Sequence, residues 1–141
     1  MIWTAGFRTA VISPYEQIQL TEPRGFADQT VRQVLHMAGG GERLRVRLTN
    51  RYGRTPLTIA AAATAATEHG QAALTFDGAE KLTIPPGEEA AGDPMDLPVA
   101  PGADLFLSLI SLRRQACHLF PQAYGDRSHS RRKPRHVSRT P

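Results

Sequence analysis

Cysteine, aromatic residues and long apolar runs are all scarce in this sequence. Cys117 is the single cysteine among 141 residues. An internal disulfide is therefore impossible, and a cysteine-built metal cage lacks ligands. Aromatic side chains amount to 6%, so a core has to be filled by Ala, Val, Leu and Ile. The hydrophobic total of 40% is enough for one such core. No apolar stretch approaches the roughly 20 residues that a membrane-crossing helix needs, so no membrane partner is expected. The opening Met1-Ile2-Trp3-Thr4 has no basic region followed by an apolar stretch and a small-residue cleavage site, so no secretory signal is visible. These absences leave one domain, or one domain with a tail, and a cytoplasmic location by default.

The net charge of +4 is unevenly spread. Residues 113–141 carry seven Arg and one Lys against one Asp, a balance of +7. The first 112 residues hold nine basic and twelve acidic side chains, a balance of −3. The basic character thus belongs to the C-terminal stretch and not to the body. Such asymmetry marks either a nucleic-acid arm or a segment that was not selected to fold.

A long, capped helical period is also missing. What is present reads as strands. Arg43-Leu44-Arg45-Val46-Arg47-Leu48-Thr49 alternates with period two, placing three arginines on one face and Leu44, Val46 and Leu48 on the other. Thr30 to Met37 is a second strand candidate, and Gly39-Gly40-Gly41 between the two predicts a tight reversal and an antiparallel hairpin. Leu57-Thr58-Ile59 leads into an Ala/Thr run from Ala60 to Thr67. Alanine favours helices, but the threonines and the surrounding pattern predict a strand of small residues packed close to a neighbour. Shorter strands are expected at Ala73–Phe76, Lys81–Ile84, Met95–Leu97 and Asp104–Ile110. Asp77-Gly78, Pro85-Pro86-Gly87, Gly92-Asp93-Pro94 and Pro101-Gly102 punctuate them as turns. Short strands at such spacing predict an all-β fold, an antiparallel β-sandwich of jelly-roll type spanning residues 1–112.

From Arg113 onward the periodicity fails. Ser128 to His136 is polar, basic and poor in core formers, so residues 113–141 are expected to form a disordered basic tail.

The strand segments carry a resemblance. Gln29 to His36, Gly41 to Gly53, Pro56 to Ile59, Leu82 to Gly87, Asp93 to Leu97 and Ala103 to Leu109 are similar, in order, to the N-terminal region of a bacterial subfamily of SGNH (GDSL-type) hydrolases. The resemblance covers about residues 1–112, with Tyr124-Gly125-Asp126 as a last trace. It implies an accessory β-sandwich ahead of an α/β/α catalytic domain, which would be the partner in the parent enzyme. That domain would supply a Gly-Asp-Ser nucleophile block, oxyanion donors from a Gly and an Asn, and an Asp-x-x-His pair. This chain stops before these motifs, so the resemblance implies ancestry and not activity. The Arg-, His-, Ser- and Pro-rich composition after residue 113 also fits a GC-rich coding frame read out of register.

Candidate sites are few. Gly125-Asp126-Arg127-Ser128 mimics a nucleophile block, but no helix pattern follows Ser128 and no acid–His pair lies downstream, so no catalytic residue is expected. His36, His69, His118, His129 and His136 show no metal-ligand spacing, and neither a metal nor a cofactor is expected. Arg43, Arg45 and Arg47, with Arg32 beside them across the expected hairpin, would form a positive stripe. It would be an ordinary solvated face, a docking face for a catalytic domain, or an anion or polysaccharide contact. Trp3, Phe7 and Tyr15 form a sugar platform or, more simply, N-terminal packing. Arg131-Arg132-Lys133-Pro134-Arg135 would bind nucleic acid only non-specifically. The expected function is a non-catalytic fragment of an SGNH-family ester hydrolase, inactive alone and prone to self-association. The alternative is a stand-alone carbohydrate- or polymer-binding module.

Overall fold

The structure, a computed structural model, describes residues 2–10, 13, 15, 25–26, 28–66, 70–111, 115–116 and 122–126. Within them the chain forms β1 (Trp3–Phe7), β2 (Gly25–Phe26), β3 (Gln29–His36), β4 (Arg43–Thr49), β5 (Leu57–Ala66) and β6 (Gly70–Leu74). Then follow β7 (Leu82–Ile84), β8 (Glu89–Ala91), β9 (Asp104–Ser111), β10 (Gln115–Ala116) and β11 (Gln122–Asp126). One sheet runs β1-β11-β4-β8 and the other β3-β9-β5-β6, with β7 also on β5 and β2 paired to β10. Every strand pairing is antiparallel. The fold is the expected all-β antiparallel sandwich. The chain passes from one sheet to the other between β1 and β3, β3 and β4, β4 and β5, β7 and β8, β8 and β9, and β9 and β11. This alternation winds the strands as a jelly roll.

Period-two patterning explains the core. β4 buries Leu44, Val46 and Leu48, and β9 buries Leu105, Leu107 and Leu109 from the opposite sheet. Each such side chain contributes about 1.5–3 kcal/mol on leaving water. In β5 the alternate residues Ile59, Ala62, Thr64 and Ala66 point inward after a bulge between Ile59 and Ala61. The alanine run is a strand because β9 and β6 pair with its two edges, which overrides its helical propensity. Buried Thr64 donates its hydroxyl to Met95 Sδ at 3.1 Å.

The turns follow their residues. Asp77 and Gly78 both take positive φ, 50° and 80°, while Phe76 and Ala79 exchange hydrogen bonds of 2.8 and 3.0 Å. That is a two-residue hairpin turn of the primed kind. Gly87 and Gly102 each sit at φ 83° after a proline, closed by Glu88 N donating to Pro85 O and Ala103 N to Ala100 O, both at 3.2 Å.

Three expectations need correction. Met95–Leu97 is not a strand: Met95 makes only an isolated antiparallel bridge with Leu44. Residues 30–37 and 43–49 do not form a hairpin: β3 and β4 belong to different sheets. Leu35 and Met37 instead join Leu44 and Val46 in one buried core, to which both sheets contribute. The intervening glycines serve close approach and not a tight turn. Gly41 exchanges 2.9 Å hydrogen bonds with Val99, and a Cβ on Gly40 would collide with the Val99 carbonyl oxygen.

The ordered body also does not end at residue 112. β11 lies between β1 and β4, in register from Trp3↔Asp126 to Phe7↔Ala123 on one side and from Gln122↔Arg47 to Asp126↔Arg43 on the other. Ala123 is fully buried, and a Cβ on Gly125 would stand 2.7 Å from Gly40 O. The remaining tail, residues 127–141, for which disorder was expected, lies outside the described residues. So do Cys117, His69, His118 and Ser128.

Candidate functional site

The outward row of β4 is what its alternation dictates: Arg43, Arg45 and Arg47 face away from the core that Leu44, Val46 and Leu48 fill. Tyr124 of β11 lies directly opposite Arg45, and Trp3 enters from the edge strand β1. Cross-strand neighbours on one face lie within about 5.5 Å at Cβ, so these long side chains interleave. The Arg45 guanidinium is 5.8 Å from the Trp3 ring centre, Arg47 is 5.8 Å from the Tyr124 ring centre, and Arg8 is 6.0 Å from that same ring. The result is a ladder of arginines and aromatic rings across three strands.

Acidic groups border the ladder on its β8 side. Arg43 Nε is 2.9 Å from Asp96 Oδ1, and an Arg47 guanidinium nitrogen is 3.6 Å from Glu89 Oε2. Arg45 Nε donates to Gly92 O at 2.9 Å. Asp96 is largely exposed, so solvent screening holds such pairs to about 0–1 kcal/mol each. Arg8 and Arg45 make no ion pair among the described residues. Asp93 adjoins the ladder. Its carboxylate accepts from Gly78 N at 2.9 Å, Thr75 Oγ1 at 2.7 Å and Asp77 N at 3.1 Å, closing the 77–78 turn. The Gly78 amide above all, then the Thr75 hydroxyl, holds this acid below the usual carboxylate range.

Arg32 does not belong to this face. It lies on β3 in the other sheet, donating Nε to Ser108 Oγ at 3.2 Å. The expected stripe rested on a β3–β4 hairpin that does not form. Arg8 and Tyr124, which sequence reasoning left out, complete the ladder in its place. The expected grouping of Trp3, Phe7 and Tyr15 is also split. The β1 bulge between Ala5 and Phe7 turns Phe7 onto the core while Trp3 stays under Arg45, and the Tyr15 ring lies 3.6 Å from the Arg54 guanidinium carbon.

The outer face of the five-stranded sheet is different in kind. Val34 and Ile110 are 55% and 42% exposed, and Ala63, Ala65, Phe106, Gln71 and Arg32 border a shallow groove of about 240 Å³. His36 stands at the end of this face, where its Nδ1 lies 3.0 Å from Asp104 Oδ1, both side chains half or more exposed. Among the described residues no hydroxyl is hydrogen-bonded to that imidazole. Nor do three His, Cys, Asp or Glu side chains stand together to hold a metal among them. No helix of the described residues is long and apolar enough to cross a membrane.

No protein-family model matches this chain, and no curated protein does.

Proposed function

We propose that this chain is the non-catalytic β-sandwich of an SGNH-type ester hydrolase, without hydrolytic activity of its own. The observation that carries the reading is the placement of the resembling segments. Gln29–His36 is β3, Gly41–Gly53 contains β4, Pro56–Ile59 opens β5, Leu82–Gly87 contains β7 and its turn, Asp93–Leu97 bridges β4 through Met95, and Ala103–Leu109 contains most of β9. The segments that match in order are thus structural ones, drawn from both sheets. Ester cleavage by this family's chemistry needs a serine, a base and an acid held in mutual hydrogen-bond reach. The one histidine among the described residues spends its Nδ1 on Asp104 at an open sheet face, with no hydroxyl in line.

In this reading the catalytic partner is an α/β/α domain that packs on the mixed outer face of β3 and β9, where Val34 and Phe106 on one side and Ile110 on the other flank Arg32 and Ser108. Exposed apolar surface of this sort favours association. The test is to read the DNA downstream of the Asp126 codon in all three frames. A Gly-Asp-Ser block followed by an Asp-x-x-His pair is the expected result. No such block in any frame would overturn the proposal.

The ladder of Arg and aromatic side chains favours a second reading, a polymer-binding module. It differs from the first in needing no catalytic partner.

A further inference from the structure

We infer that the open edge of β3 joins two copies of this chain, the strands pairing antiparallel about Gln33 so that two five-stranded sheets become one. The pairing requires nothing of a hydrolase partner. β3 ends its sheet: it pairs with β9 along one side in unbroken register, and with no other described residue along the other. Met37 N donates to Ala103 O at 2.9 Å and continues that ladder. Hydrogen-bonded and non-bonded pairs alternate along antiparallel strands, so Val31, Gln33 and Leu35 turn their backbone groups toward β9. Thr30, Arg32, Val34 and His36 turn theirs to the open side, and all four residues are exposed.

Sheet edges are ordinarily blunted by shortness, a bulge, a proline or a lysine, because unpaired backbone groups invite another strand. The other edges comply: β1 is bulged, and β7 and β8 have three residues each. β3 has eight residues with no bulge, proline or lysine. It is also complementary to itself. With Gln33 on a two-fold axis, Arg32 lies opposite Val34 of the second copy and Thr30 opposite His36, all on the outer face. On the inner face Val31 meets Leu35, and Gln33 meets its counterpart. All four open-side residues then form bonded pairs, and Val34, 55% exposed, gains the stem of Arg32 as a neighbour. Moving the axis to Arg32 sets two guanidinia face to face. Moving it to Val34 sets Arg32 opposite His36 and runs Thr30 past the end of the strand. The central register combines full length with no facing guanidinia, which selects a second copy as the occupant.

The experiment is sedimentation of the full chain over a concentration series, with amide exchange and cysteine pairing. The chain dimerises, and dimerisation slows exchange at the Arg32 and Val34 amides, which β9 does not bond. In a Cys117→Ser background, Gln33→Cys forms a covalent dimer on mild oxidation, because facing residues of a non-bonded pair stand about 4.5 Å apart at Cα, within disulfide reach. Val31→Cys does not, being displaced from its counterpart by about 13 Å. Val34→Arg, at an exposed position, creates two like-charged pairs per dimer and raises the dissociation constant about tenfold. Adding Arg32→Val exchanges the partners and restores it. Ile110→Lys, one strand in from the edge, leaves the dimer intact, which separates edge pairing from burial of the outer sheet face. A monomer up to the solubility limit, a dimer lost with Ile110→Lys, or a Gln33→Cys chain that forms no covalent dimer would each overturn the inference.

Discussion

The side-chain amide of Asn50 fills the space that a Cβ on Gly53 would need. Asn50 is buried and donates Nδ2 to Thr55 O at 3.0 Å and to Ile84 O at 2.9 Å. Its own carbonyl accepts from Gly53 N at 3.0 Å and Gly87 N at 2.9 Å. One residue therefore ties the loop after β4 to the turn between β7 and β8. Asn50→Ala leaves two inward carbonyls without a donor and is expected to cost about 2 kcal/mol or more. Gly53→Ala displaces the amide and destabilises by a similar amount. Urea unfolding of both variants measures this; the pair should be markedly non-additive, because each change removes the same contacts.

A Cβ on Gly125 would stand 2.7 Å from Gly40 O, on backbone that cannot easily give way. Gly125→Val should therefore destabilise strongly, and deletion from residue 121 onward should unfold the four-stranded sheet by removing its β11. Deletion from residue 127 onward should leave both sheets folded. Circular dichroism and thermal unfolding of the two truncations distinguish a body that ends at Asp126 from one that ends at residue 112.

Asp93 gives a pH dependence with a definite sign. Hydrogen bonds from Gly78 N and Thr75 Oγ1 favour its ionised form, so its acidity is greater in the folded state than in the unfolded chain. Its stabilising contribution is present above the ordinary aspartate range and is lost as pH falls below about 4 toward the folded value. Thermal unfolding at neutral and acidic pH should show a loss that is smaller in Asp93→Asn, which no longer titrates there.

Val34 and Ile110 form the exposed apolar part of the five-stranded sheet. Without a covering partner this surface should promote self-association as concentration rises. Val34→Lys with Ile110→Lys should shift sedimentation velocity profiles toward monomer while changing the unfolding free energy by less than about 1 kcal/mol.

Local chemistry announced much of this fold. The alternation in residues 43–49 specified which side of β4 is buried, and Asp77-Gly78, Pro86-Gly87 and Pro101-Gly102 specified their turns through φ. Long-range relationships were not legible. Gly39-Gly40-Gly41 suggested a reversal because glycine permits one, yet the demand on Gly40 comes from the backbone of Val99 and Ala100, distant in sequence. β11 was hidden because an interior strand squeezed between two others needs small residues such as Ala123 and Gly125, which give no periodic signal. The site suffered in the same way. The three β4 arginines were evident from spacing alone, whereas Arg8 and Tyr124 join them only through the β1–β11–β4 register, and Arg32 was misplaced with the hairpin that does not form.

Turnover of a short-chain aryl ester by the purified full-length chain tests the central claim most directly. The account predicts release no faster than a denatured control and unchanged by Ser128→Ala. Saturable hydrolysis that survives purification to homogeneity and disappears with Ser128→Ala would contradict it.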